Sequence, residues 1–106
     1  MTAVEQVRQS IIEQLSQVID PETGVDVLRM HLVEDLTVGE DGQVSYTFRP
    51  SSYFCPLAVS LSLDILRAIS GVAGVARQKV AVRDYLQADE LEKLLDEVQE
   101  ANAGGG

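Results

Sequence analysis

The chain has 106 residues, 45% of them hydrophobic and 24% charged, the make-up of one globular domain whose core needs no disulfide or metal staple. Eight basic residues against 17 acidic ones give a formal net charge of −9, a field that repels phosphate backbones and anionic lipid, so neither nucleic acid nor a membrane is expected as a partner. One cysteine cannot close an internal disulfide, no apolar run is long enough to span a bilayer, and Met1 leads into an amphipathic stretch with Glu5 and Arg8 instead of an apolar leader, so the expected compartment is the cytoplasm.

Val4, Val7, Ile11, Leu15 and Val18 recur at helical spacing and predict a helix over 3–19. Asp20-Pro21 ends it, because the residue before a proline is pushed out of the α region. Asp20 to Gly24 is turn-rich, and a short helical turn through Val27, Leu28 and Met30 is the reading for 25–31. Residues 32–38 predict a strand with Leu32, Glu34, Leu36 and Val38 on one face and Val33, Asp35 and Thr37 on the other, an alternation that Glu34 spoils. Gly39-Glu40-Asp41-Gly42 supplies a turn, and residues 43–48 alternate cleanly, with Val44, Tyr46 and Phe48 on the apolar face.

The loop from Pro50 to Pro56 follows, and then a helix over about 56–70 whose thin polar stripe of Ser60, Asp64 and Arg67 predicts deep burial. Gly71 and Gly74 turn the chain into a third strand over 75–83, with Gln78, Val80 and Val82 on one face and Arg77, Lys79 and Arg83 on the other. A last helix starts near Asp89, where Asp89-x-x-Glu92 has the spacing of a capping box, and buries Leu91, Leu94, Leu95 and Val98. The order α-β-β-α-β-α defines an α+β domain over 1–102, with a small three-stranded mixed sheet, helices packed on one face and a flexible glycine tail over 103–106. Pattern alone leaves open whether the third strand lies beside the first or the second.

Cys55 is the residue best placed to carry chemistry. Proline is favoured at the first helical position, so Pro56 puts Cys55 at or next to a helix N-cap, facing free N–H groups and the positive end of the macrodipole. Such a position lowers a thiol pKa, and the thiolate is both a nucleophile and a soft-metal ligand. The plainer alternative is a small buried thiol that only packs. A closed zinc or iron–sulfur site takes four ligands, and one thiolate, one imidazole and a set of carboxylates do not supply a conventional one. A soft-metal site on Cys55 must therefore be shared, with a second subunit in a homodimer or with a partner. His31, the only histidine, is a weak candidate for a thiol–imidazole pair. Asp20 and Glu22 bring two carboxylates into one loop, which is either turn chemistry or support for a nearby metal or partner. Arg49 either stabilises a thiolate or is a solvated strand end.

Asp20-Pro21-Glu22 after a helix, Leu32-Val33 opening a strand, and a Ser/Thr-rich loop ending in Cys55-Pro56-Leu57 resemble the small metal–sulfur cluster assembly family, the SufT/PaaD-like group. The resemblance covers roughly 4–83. It implies a compact α+β domain, not an enzyme, that helps mature iron–sulfur proteins as a cluster carrier or targeting factor. Its reactive cysteine falls on Cys55, its acidic loop on Asp20 and Glu22, and its hydroxyl positions on Ser51 and Ser52. The implied cargo is a transient iron–sulfur cluster, shared between subunits or with a partner; the implied partners are the assembly machinery and client apo-proteins. Where the family usually has Asp-Leu-Gly-Leu, this chain has Arg29-Met30-His31-Leu32, so His31 replaces a glycine and becomes a candidate co-ligand. Tyr53 and Phe54 replace smaller residues and suggest a docking hot spot, and Asp84-Tyr85-Leu86 stands where a tryptophan-containing segment is common. The competing readings are a metal-free adaptor with a structural Cys55 and a small thiol enzyme using Cys55 and His31.

Overall fold

The apolar stripe of the first segment forms the amphipathic helix α1, Ala3–Leu15, which seals Ile11 and Leu15 into the core. In this computed structural model residues 3–21, 23–50 and 58–105 are described. The remaining elements are β1 (Val33–Val38), β2 (Gln43–Phe48), α2 (Ala58–Ser70), β3 (Arg77–Val82) and α3 (Ala88–Gly105), the expected α-β-β-α-β-α order.

The first helix ends at Leu15 instead of running to residue 19. Gln17 and Val18 donate to Gln14 and Leu15, three residues back, so the last turn tightens. The chain then extends, and Ile19 bridges to Asp26 in antiparallel fashion. The Asp20 N–H donates to the Val25 carbonyl at 3.0 Å, and the Val27 N–H to the Val18 carbonyl at 3.0 Å. The extension that Pro21 imposes on Asp20 thus reaches back to Val18, where strand-like pairing replaces helical hydrogen bonds.

The sheet order is β1-β2-β3, with β1 antiparallel and β3 parallel to β2, so the third strand lies beside the second. The imperfect alternation at Glu34 has a cause. The register runs Val33↔Phe48 and Glu34↔Thr47, then resumes at Thr37↔Ser45, so Asp35 and Leu36 together oppose Tyr46. This is a β-bulge, and Asp35 takes the left-handed conformation it needs, with φ of 54°. The bulge changes parity within the strand. Val33 faces the core with Leu36 and Val38, while Glu34 and Thr37 face the other way, which corrects the face assignment expected for Val33. Bulging and the charges of Glu34 and Asp35 also make β1 a poor template for a further strand.

Two glycines hold the entry to β3. Gly42 has φ of +88°, and a Cβ there would lie 2.6 Å from the Gly74 carbonyl oxygen. Its own carbonyl accepts from the Ala76 N–H at 2.9 Å. Gly74, at φ of +96°, leaves room for Val7, whose Cγ2 a Cβ would meet at 2.8 Å. The β1–β2 turn, the α2–β3 loop and α1 therefore converge at one end of the sheet.

Phe48, Ile11, Leu15, Leu32, Leu61, Ile65, Ile69 and Leu95 are fully buried, each worth roughly 1.5–3 kcal/mol of transfer free energy. Gln78 is buried among them and satisfied at every polar group. Its Nε2 donates to the Leu66 carbonyl at 2.9 Å, its Oε1 accepts from the Tyr46 hydroxyl at 3.0 Å, and its main chain is met by Gln99. α3 begins at Ala88, before Asp89, and Glu92 does not close a capping box. Its carboxylate accepts instead from the Val82 N–H at 2.7 Å, at the outer edge of β3. Helical backbone continues through Ala103–Gly105, residues expected in a flexible tail, as an extension of the preceding turns; glycine weakens a helix by about 1 kcal/mol per residue, so this is its weakest turn.

Candidate functional site: the Cys55 segment and the acidic loop

The residues that flank the cysteine segment are firmly placed. Arg49 donates its N–H to the Leu32 carbonyl at 2.8 Å, and Pro50 is buried at the end of β2. On the far side Ala58 is fully buried at the start of the described part of α2. Ser51, Ser52, Tyr53, Phe54 and Cys55 lie outside the described residues, as do Pro56 and Glu22. The expected N-cap geometry of Cys55 therefore falls outside them too. Chain connectivity sets its own bound: Cys55 is three residues before Ala58, a span of at most about 11 Å.

Arg49 is engaged by carboxylates from both neighbouring strand ends. Its guanidinium lies 3.1 Å from Asp84 and 3.7 Å from Glu34. The side chains are partly exposed, so these pairs orient Arg49 more than they stabilise the fold. Asp84 has φ of 56°, a left-handed turn directly after β3. Nothing local in the sequence marks Asp84 as the partner of Arg49; parallel pairing of β2 and β3 creates the contact.

Asp20 is buried, at 1% exposure, within its loop. Among the described residues no buried side-chain polar atom lacks a hydrogen-bond partner, so the carboxylate is satisfied. Its main chain closes the loop, accepting from the Gly24 N–H at 2.8 Å. Asp20 is thus an inward-facing residue of the loop.

The segment after this loop is the expected short helical turn, with a cap at each end. Asp26 Oδ1 accepts from the Leu28 and Arg29 N–H groups at 3.1 and 3.0 Å. At the other end the Leu32 N–H reaches the Val27 carbonyl at 3.0 Å and the His31 N–H reaches the Leu28 carbonyl at 3.1 Å. This is a Schellman motif, and the buried pair Val27 and Leu32 supplies its hydrophobic contact. His31 occupies the left-handed position at φ of 59°, where glycine is ordinarily found. The glycine that His31 replaces thus has a conformational reason. The imidazole is exposed, and among the described residues no group of three or more His, Cys, Asp or Glu side chains could hold a metal ion.

The element order α-β-β-α-β-α, the three-stranded mixed sheet and the helices packed against it define a small α+β domain. The model of the iron–sulfur cluster assembly protein family matches residues 8–82, and the chain belongs to that family. It is 33% identical over 78 residues to the Fe-S protein maturation auxiliary factor YitW of Bacillus subtilis (strain 168), covering 74% of this chain and 76% of that protein. It is 32% identical over 75 residues to the Fe-S protein maturation auxiliary factor of Porphyromonas gingivalis (strain ATCC BAA-308 / W83), covering 71% of each. The crystal structure of a DUF59 domain from Bacillus anthracis superposes with a TM-score of 0.68 at 25% identity, covering 91% of this chain and 93% of that one. Among the described residues no helix is long and apolar enough to cross a membrane.

Proposed function

We propose that this protein is an accessory factor in the maturation of iron–sulfur proteins, and that it handles the cluster as cargo through Cys55. Family membership together with relatives named as Fe-S protein maturation auxiliary factors carries the reading. The chemistry of the chain agrees with it. A single thiolate cannot close a four-ligand site, so a cluster on Cys55 is shared with a second copy or a partner and leaves readily. That suits transfer and not storage. Asp20 and the turn capped by Asp26 hold the acidic loop from within, and Arg49 with buried Pro50 fixes the near end of the cysteine segment. Ser51, Ser52 and Glu22 are the supporting positions on this reading, and Tyr53 and Phe54 the contact with the assembly machinery or the apo-protein. His31 is the co-ligand on the same reading, its ring presented to solvent.

The test is anaerobic reconstitution with ferrous iron and sulfide, followed by iron and sulfide content and absorbance. The parent chain is expected to bind cluster at a stoichiometry below one per subunit, and Cys55→Ser to bind none while unfolding at the same temperature. In cells carrying only Cys55→Ser, the activity of iron–sulfur enzymes is expected to fall. Full activity in those cells overturns the cargo role.

A further inference from the structure

We infer that the groove between the start of α2 and the first turns of α3 docks a short apolar segment of a protein partner flanked by Lys or Arg. Val59 from α2 and Tyr85, Leu91 and Leu94 from α3 and its approach line it, with Gln87 and Glu90 at the rim. Val59 is 40% exposed and Leu94 36%, and Leu86 beside Tyr85 is 54% exposed. Both α2 and α3 are amphipathic helices, which bury Leu61, Ile65, Leu66 and Ile69 and Leu91 and Leu95 in the core. Val59 and Leu94 are exceptions on both sides of the same groove, so the exposure is one patch and not scattered noise.

Its size and charge select the occupant. At about 230 Å³ it falls below the roughly 300–1,000 Å³ of sites that enclose a whole small molecule, and suits one or two side chains of a peptide. Glu90 lines it and is exposed, and Glu97, two helical turns further along the same side of α3, is exposed as well. Neither carboxylate forms an ion pair among the described residues, in contrast to Glu92, Asp96 and Glu100, which face Arg83 or Arg77. Among the described residues no basic side chain lines the groove. Lys93, one helical turn from both Glu90 and Glu97, lines the neighbouring cleft and pairs with neither, so in a chain of net charge −9 the apolar slot keeps a net acidic rim, complementary to an anchor side chain set between cations. Val59 is four residues after Cys55, so chain connectivity keeps the two Cα atoms within about 14 Å. The docking proposal extends the maturation reading, in which the partner is a client or a component of the assembly machinery.

The test uses the full chain, labelled with nitrogen-15, titrated with two synthetic peptides of equal length. One carries a pair of leucines between lysines; the other carries the same leucines between glutamates. The lysine peptide is expected to shift the amides of Val59, Tyr85, Leu91 and Leu94, to bind at least tenfold more tightly than the glutamate peptide, and to weaken with salt. Leu94→Ser and Val59→Ser are expected to lose that binding tenfold or more with unchanged spectra elsewhere, whereas Cys55→Ser keeps it. Equal affinity for both peptides, or shifts away from the groove, overturns the proposal. Sedimentation that shows a dimer abolished by Leu94→Lys also overturns it, in favour of a second copy as occupant. The maturation reading fails separately: peptide binding that persists in a chain unable to load cluster leaves the groove as the contact of a metal-free adaptor.

Discussion

The side-chain amide of Gln99 makes to Gln78 the pair of hydrogen bonds that a neighbouring strand would make. The Gln78 N–H donates to Gln99 Oε1 at 2.7 Å, and Gln99 Nε2 donates to the Gln78 carbonyl at 2.7 Å. β3 is an edge strand, and Glu92 takes the Val82 N–H at 2.7 Å on the same side. α3 thus closes the sheet edge with side chains, which blocks strand addition without adding a strand.

Gln99→Ala is expected to destabilise the domain by about 1–3 kcal/mol, because both main-chain groups of a buried residue lose partners at once. Gln99→Glu keeps an acceptor for the N–H but at neutral pH sets a carboxylate oxygen against the Gln78 carbonyl, so its cost should be largest there and fall at acid pH, where the protonated side chain can donate. Urea unfolding measures both. Hydrogen exchange at the Gln78 amide should accelerate much more than at Ile65 or Ile69 in the core.

His31→Gly is expected to raise stability by roughly 0.5–1 kcal/mol. An L-residue in the left-handed region costs about 1–2 kcal/mol, and the greater freedom of glycine in the unfolded chain returns about 0.4–1 kcal/mol of that. Thermal unfolding should register an increase of a few degrees. If His31 is also a cluster ligand, the same variant loads less iron and sulfide, so the two roles separate in one protein.

Tyr46 lies in the core and its phenol ionisation is pushed well above the ordinary value of 10.0 by burial. The unfolded chain therefore releases this proton first as pH rises. Stability is fully present below about pH 10 and falls above it by up to about 1.4 kcal/mol per pH unit. Tyr46→Phe should remove this component of the alkaline slope. At neutral pH it should cost about 1–2 kcal/mol, since the Gln78 Oε1 is left buried without its donor.

Gly42→Ala combines a disfavoured positive φ with a Cβ 2.6 Å from the Gly74 carbonyl oxygen. The conformational part alone costs about 1–3 kcal/mol, and the backbone contact adds to it because neither loop can yield without disturbing the start of β3. Gly24→Ala meets no atom within 4 Å and carries only the conformational part. A lower urea midpoint for Gly42→Ala than for Gly24→Ala, at equal slope, is the expected outcome.

Periodicity by itself determined the element order and the apolar faces of β2 and β3, while the family was legible only as a resemblance of the Asp20-Pro21-Glu22 and Cys55-Pro56-Leu57 motifs. Those features arise from spacings within one segment, where each residue reports on its own neighbours in the chain. Only the tertiary structure decided that β3 pairs with β2, that Asp35 bulges β1 and reverses its parity, and that Glu92 and Gln99 leave their helix to bond a strand edge. Each of these satisfies a backbone group or closes a gap between segments far apart in sequence, and a buried N–H takes whatever partner the packing brings to it. Asp20 shows both sides: its place before Pro21 was legible as a turn, while its burial and the main-chain bonds that fold the loop back to Val25 and Gly24 were not.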